Sequence, residues 1–182
     1  MKLDIDDVVK ARFPDLKVLV KVIRGVKVER LGEDLERFKG EVYEEVKRSY
    51  TLESLKDIAL FRAYRDFFWK VDIDPTKIRP AAEALIRRIL GGKPIPQINT
   101  LVDSYNLASI HTGVALAAFD RDRLKGDFVM RFARMGEEFL GIGMKVPMIL
   151  RGGEIVISDT ARLVAVYPYR DADYSKNTDD TK

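Results

Sequence analysis

The sequence predicts an α+β fold, helical in its first half and rich in short strands in its second. Three observations carry that expectation. Apolar residues recur at three-or-four spacing over 33–48 and 52–69, the pattern of core-facing helices. From Gly113 onward the apolar runs become short and β-like, separated by Gly-containing or charged turns. The two patterns are segregated along the chain instead of alternating, which argues against regular βαβ units and for a mixed or antiparallel sheet. With 182 residues, 46% of them apolar, one core is expected, so the chain reads as a single domain over 1–182, in which residues 1–74 are helical and residues 75–181 form the core.

The elements follow in order. Ile5 to Phe13 reads as a short helix stopped by Pro14. Leu16 to Val28, LKVLVKVIRGVKV, is β-branched with partial alternation and reads as a strand bent near Gly25. Glu33 to Arg48 places Leu35, Phe38, Val42 and Val46 on one helical face, and Leu52 to Trp69 does the same with Leu55, Ile58, Phe61, Tyr64 and Phe68. The aromatic cluster Phe61, Tyr64, Phe67, Phe68 and Trp69 offers faces for base stacking, but helical spacing already accounts for it as core. Pro80 suits the first turn of a helix ending at Leu90, before Gly91-Gly92. A further helix is expected over 99–109. The strand-like runs are Val114 to Phe119, Phe128 to Ala133, Ile155 to Ser158 and Leu163 to Tyr167. The tail after Arg170 is expected to be loose, and no internal repeat is visible.

Composition narrows the chemistry. With no cysteine, a disulfide framework, a thiolate nucleophile and a Cys-ligated zinc are all excluded. The start, MKLDIDDVVK, is acidic where a signal peptide is basic and then apolar, and no apolar run approaches a membrane span, so a cytoplasmic protein without a membrane partner is expected. Charged residues reach 34% while Gln97 and His111 are the sole members of their types, a balance that resembles heat-adapted chains and suggests a thermophilic source. Lys and Arg balance Asp and Glu at 16 each over 1–74, whereas 75–134 holds 10 against 5. Arg79, Arg87, Arg88, Lys93, Arg121 and Arg123 are therefore the candidate RNA-facing cations. A solvated surface with scattered arginines explains the same surplus.

The most informative stretch is Gly91 to Ile110, GGKPIPQINTLVDSYNLASI, a Gly/Pro-rich loop running into a helix. Asn99, Asp103 and Asn106 fall at i, i+4 and i+7 and share one face. Thr100 with Asp103 also forms a capping-box-like pair, and Asn99 or Thr100 can cap the start. Asn106 lies beyond the cap, and its amide both donates and accepts, which suits holding an ester or a water. His111 sits at the end of that helix, where it can satisfy terminal carbonyls, and no Ser/His/Asp set can be assembled around it. Ser104 and Ser109 read as helix-surface or capping hydroxyls. No DxDxDG loop, His-x-x-x-His pair, P-loop or G-x-G-x-x-G is present, so neither a metal nor a cofactor is expected.

Arg79-Pro80, Glu83-Ala84-Leu85 and IPQINTLVDSYNLASI together resemble the editing module of the phenylalanyl-tRNA synthetase β subunit. Later segments keep the family's order: Ala117-Ala118-Phe119-Asp120 with Leu124 and Gly126, then Arg131-Phe132-Ala133 with Gly136-Glu137-Glu138, then Gly153-Glu154-Ile155-Val156 and Ser158-Asp159. The similarity covers about Pro75 to Thr181, and the helical segment before it resembles what free-standing members carry. The resemblance implies helices packed on a partly barrel-like β region, and hydrolysis in trans of tRNA bearing the wrong amino acid. It implies catalytic roles for Asn106, Asn99, Asp103 and Glu137, with Tyr105, Ala117, Phe119 and Glu138 at the substrate. Two positions depart from the synthetase pattern: Ala117 stands where a histidine usually precedes A-F-D, and Tyr105 replaces the threonine before the second asparagine.

An aminoacyl ester is activated, so a positioned water, oxyanion hydrogen bonds and the neighbouring ribose hydroxyl suffice without a triad. On this reading Asn106 and Asn99 orient the ester or water, Asp103 braces them, and Glu137 or Glu138 meets the substrate ammonium or serves as an acid-base group. Two other readings stand beside the deacylase. A tRNA- or RNA-binding module that has lost its chemistry would bind with a steep salt dependence and cleave nothing. An amino-acid-binding protein reusing the pocket would bind a free amino acid and no RNA.

Overall fold

Where apolar side chains recur at helical spacing the chain forms helices, and where they run continuously between turns it forms strands. In the computed structural model, which describes residues 1–182, the helices are α1 (Asp7–Arg12), α2 (Glu33–Ser49), α3 (Ala59–Lys70), α4 (Ala81–Leu90) and α5 (Thr100–Thr112). The strands are β1 (Leu3–Ile5), β2 (Phe128–Phe132), β3 (Glu138–Phe139), β4 (Met148–Ile149), β5 (Ile155–Ser158), β6 (Leu163–Tyr167) and β7 (Arg170–Asp171). The fold is α+β. Contacts divide it into two units: Met1–Gly25, Phe119–Lys176 and Lys182 in one, Val26–Ala118 and Asn177–Thr181 in the other.

The first unit is built on a five-stranded sheet of order β1-β2-β5-β6-β7. The β1–β2 pair is parallel and the other three are antiparallel, which makes the sheet mixed. Because β1 and β7 remain edges, the sheet is open, and the partly barrel-like closure expected from the resemblance is not formed. The central strands β5 and β6 are buried from Ile155 to Ser158 and from Leu163 to Val166, so they read in the sequence as unbroken apolar runs. Helix α1 packs on β2, with Phe13 against Phe132 at 6.5 Å between ring centroids. A short β3–β4 ribbon adds Phe139 to a core that includes Leu150, Val156, Leu163 and Val166.

Carboxylates fix the connections of this unit. Glu154 accepts the N–H groups of Arg151, Gly152 and Gly153 at 2.9–3.1 Å. Gly152 has φ +97°, and a Cβ there would meet the Met135 nitrogen at 3.3 Å, so the turn requires glycine. Asp159 accepts from Lys125, Ala161 and Arg162 N–H and from the Tyr174 hydroxyl. Burial opposes the charge of both carboxylates, but these donors outweigh it and hold each carboxyl below its ordinary value. Burial and the Asp159 charge push the Tyr174 hydroxyl up to about 12, under the Arg162 guanidinium at 3.7 Å from its ring centroid.

The second unit is helical. Helices α2, α4 and α5 pack on one another around Val42, Val46, Ile86, Ile89, Leu107 and Ile110, with Leu55 and Phe61 in the same core. Phe61 and Phe68 are 2% exposed, in line with the core reading of the aromatic cluster, while Trp69 faces solvent. Between α3 and α4, Glu83 is fully buried and takes both the Arg65 and the Arg87 guanidinium. Burial works against its charge, and the two arginines override it, so its carboxyl lies below the ordinary range.

Four expectations fail for identifiable reasons. Leu16–Val28 forms no strand: β-branching favours an extended backbone, but the segment takes no ladder partner, and Leu19 is 92% exposed. Val114–Phe119 is also not a strand, because side chains satisfy its backbone: Tyr64 Oη accepts from Ala115 N–H, Ser109 Oγ donates to Val114 O, and Asn177 Nδ2 donates to Ala118 O. The helix expected over 52–69 is broken, since Thr51 and Ser54 bond each other reciprocally and wind a separate 3₁₀ turn over Ser54–Asp57, and Ile58 is extended before α3. The tail is not loose. It forms β7 and a 3₁₀ turn over Asp173–Ser175, with Ala172 N–H donating to Val164 O at 2.8 Å.

Candidate functional site

The loop from Gly91 to Ile98 cannot continue α4. Gly92 lies at φ +71°, and Pro94 and Pro96 lack N–H groups, so the chain stays irregular until Asn99 starts α5. Ile95 anchors it, 3% exposed, its N–H donating to the Tyr43 hydroxyl at 2.8 Å. Asn99, in extended conformation, is the N-cap, and its Oδ1 accepts from Val102 N–H at 3.0 Å. Thr100 is not the cap. Its N–H donates to Glu29 O at 2.8 Å and its Oγ accepts from Glu29 N–H at 2.9 Å, tying the helix start to the chain ahead of α2. Gly113, at φ +72°, closes α5 in a left-handed C-cap, where a Cβ would sit 2.6 Å from Leu60 Cδ2.

Asp103 is 2% exposed and accepts Ile98 N–H at 3.0 Å on Oδ1, while its Oδ2 lies 4.0 Å from Lys39 Nζ. The Lys39 side chain is itself only 12% exposed, and its ammonium donates to Glu36 Oε1 at 2.6 Å, which Gln97 Nε2 also reaches at 3.5 Å. Lys39 and Glu36 belong to the site's surroundings and carry no signal in the sequence that would single them out. Their i,i+3 spacing on α2 is visible there, but their approach to Asp103 is not.

Asn106 lies on the same stripe of α5, half-buried, and its amide has no hydrogen-bond partner in the protein. Tyr105 beside it is half-buried too, and Ala117 is exposed. Ser104 Oγ donates to Thr100 O and Ser109 Oγ to Val114 O, so both hydroxyls serve the backbone. His111 does not bond the terminal carbonyls. Its Nδ1 faces Glu45 Oε2 at 3.2 Å, on a side chain that is 54% exposed.

The remaining candidate residues from the sequence fall mostly in the sheet-containing unit. Glu137 is engaged at both oxygens by the Arg131 guanidinium, at 2.7 and 2.9 Å, and by Arg134 N–H at 2.7 Å. The Arg131 contact holds its carboxyl below the ordinary value against a smaller cost of burial. Glu138 is exposed on β3, and Phe119 stacks edge-on against Phe128 at 6.1 Å. Of the cations, Arg79 and Lys93 are exposed, Arg88 Nε donates to Pro94 O at 3.1 Å, and Arg87 is spent on Glu83. Arg121 lines a shallow open depression with Met1, Leu124 and Asp127, and Arg123 pairs with Asp120 at 3.4 Å.

Residues 63–182, which include α5 and the whole sheet beyond β1, match the B3/4 domain. The chain belongs to the B3/4 domain family. Over 96 residues this B3/4 protein is 31% identical to the phenylalanine–tRNA ligase beta subunit of Fusobacterium nucleatum subsp. nucleatum, a stretch of 52% of the present chain. It spans 12% of that subunit's length. The matched residues exclude the whole of the helical segment 26–62 that supplies Glu29, Lys39 and Tyr43 to the site. No helix of this B3/4 protein is long and apolar enough to cross a membrane.

Proposed function

We propose that this B3/4 protein hydrolyses, in trans, the ester of mis-acylated tRNA in the cytoplasm. The observation that carries the reading is Asn106: a half-buried amide with no protein partner, presented on a helix whose start is fixed by Asn99, Asp103 and Thr100. An amide that the fold leaves unpaired can both donate to and accept from a ligand without breaking a bond within the protein. The family membership supports an aminoacyl ester as that ligand, as does the relative, named as a ligase for phenylalanine and tRNA.

In this reading Asn106 Nδ2 donates to the ester carbonyl oxygen as negative charge builds on it. Water adds to the carbonyl carbon, the bond to the ribose oxygen breaks, and that oxygen leaves with the water's proton, giving free amino acid and tRNA. Asn99 and Asp103 shape the helix start instead of touching the ester, because Oδ1 of each accepts a backbone N–H there and Asp103 Oδ2 lies 4.0 Å from Lys39 Nζ. Glu137 is assigned to Arg131, since a carboxyl held below its ordinary value by a bidentate arginine is a poor acid or base near neutral pH. Exposed Arg79 and Lys93, with Arg88, supply phosphate contacts.

The test is release of amino acid from a panel of aminoacyl-tRNAs by wild type and Asn106→Ala. Loss of one oxyanion donor lowers kcat about 100-fold with little change in KM. No release by the wild type from any member refutes the hydrolase. Salt-sensitive tRNA binding without release identifies the binding-only reading, which Ala117 at the family's histidine position favours.

A further inference from the structure

A lysine whose side chain is 12% exposed requires compensation for its charge, because a buried charge without partners is strongly unfavourable. Lys39 has two carboxylates, Glu36 at 2.6 Å on its own helix and Asp103 at 4.0 Å on α5. Asp103, 2% exposed, has the converse need: its hydrogen bond from Ile98 N–H does not by itself neutralise the charge. Lys39 is thus the charge partner of the carboxylate that sets the loop-to-helix corner preceding Asn106. It lies on α2, outside the residues that match the family.

Lys39 is not alone in linking that segment to the motif. Glu29 pairs in both directions with Thr100, Tyr43 Oη accepts Ile95 N–H, and Glu45 faces His111. Four residues of the 29–45 segment therefore grip 95–111 from its loop to its last turn, and Lys39 is the one that acts on a side chain of the Asn99-Asp103-Asn106 stripe. We infer that Lys39 is a positioning residue: its ammonium keeps the Asp103 carboxylate turned onto Ile98 N–H and so sets the orientation of the α5 start that presents Asn106. The activity consequence rests on the hydrolase reading. The positional consequence does not.

The experiment compares wild type, Lys39→Met and Lys39→Arg by amide hydrogen exchange and by deacylation kinetics. Methionine keeps the apolar stem of the lysine and removes its charge. In Lys39→Met the Ile98 amide exchanges about tenfold faster, as expected for loss of a charge-assisted hydrogen bond, while the Ile95 amide, held by Tyr43, does not change. Lys39→Arg returns the Ile98 rate to near that of wild type. In the kinetic arm Lys39→Met lowers kcat roughly tenfold to a hundredfold with KM unchanged, because Lys39 orients and does not bind.

An unchanged Ile98 rate in Lys39→Met overturns the inference, and so does equal acceleration of Ile95, which marks a general loosening of α2. A raised KM with unchanged kcat overturns it too, by making Lys39 a binding group. If wild type hydrolyses no ester, the functional proposal fails, and the exchange comparison still decides the role of Lys39.

Discussion

Asn99 separates what the fold needs from what the site needs. Its Oδ1 caps α5 through Val102 N–H at 3.0 Å, and the residue is 3% exposed. Asn99→Ala removes the acceptor and leaves that N–H without its partner, at a cost of about 1 kcal/mol for a lost cap. For a chain of this size that lowers Tm by roughly 2–4 °C. Asn99→Asp keeps the acceptor and places a negative charge at the positive end of the helix dipole, so its Tm stays within about 1 °C of wild type or rises. Asn106→Ala removes an amide with no protein partner and leaves Tm unchanged. The assay is thermal unfolding followed by circular dichroism for the three variants at one pH and salt concentration. Equal Tm values for Asn99→Ala and Asn99→Asp would refute the cap argument. A fall for Asn106→Ala as large as that for Asn99→Ala would refute the division between the two asparagines, and with it the claim that Asn106 is free for a ligand.

Two other measurements probe the buried charges. Glu83→Gln leaves Arg65 and Arg87 facing a neutral amide in a fully buried position, and since both arginine side chains are 23% exposed the expected loss is about 2–4 kcal/mol, read as a lower urea midpoint with an unchanged m-value. Asp171, on the edge strand β7, has its carboxyl pushed from 3.8 up to about 6 by burial. The folded state thus binds its proton more tightly than the unfolded chain. The resulting stability is fully present below about pH 4 and is lost as pH rises through about 6. Asp171→Asn removes this dependence: its stability in urea relative to wild type rises between pH 4 and pH 7, by at most about 3 kcal/mol for a shift of this size, and a constant difference across that range would refute the assignment.

What the sequence made legible follows the range of the interaction behind each feature. Strands β5 and β6 fall on the boundaries expected for Ile155 to Ser158 and Leu163 to Tyr167, because buried central strands leave continuous apolar runs with charged turns at their ends. Helix α2 begins at Glu33 as expected, with acids in its first turn and Lys47 and Arg48 in its last. Leu16 to Val28 shows the limit of such reading. Its β-branched residues express a backbone preference, but a strand also needs a neighbour, and no local pattern says whether one is present. At the site, the shared face of Asn99, Asp103 and Asn106 is a matter of helical geometry and was readable. The pairing of Asp103 with Lys39 joins positions 64 residues apart in the chain through helix packing, which spacing does not encode.

The segments that carry the family resemblance divide by what they do. Arg131 and Glu137 clamp each other bidentately, Glu154 gathers the backbone of the Arg151–Gly153 turn, and Asp159 holds Lys125 to the Ala161–Arg162 turn. Glu83 neutralises Arg65 and Arg87 inside the helical unit. Each of these residues has partners within the protein, so each would be retained by a member of the family that kept the fold and catalysed nothing. Asn99 and Asp103 stand between the two cases, structural in their own bonds but placed at the mouth of the helix. Asn106 alone among the polar residues on that stripe has a side chain the fold leaves unused. On the hydrolase reading proposed above, the chemistry rests on that one position, and substitution there, not at the more conspicuous carboxylates, is what removes ester release.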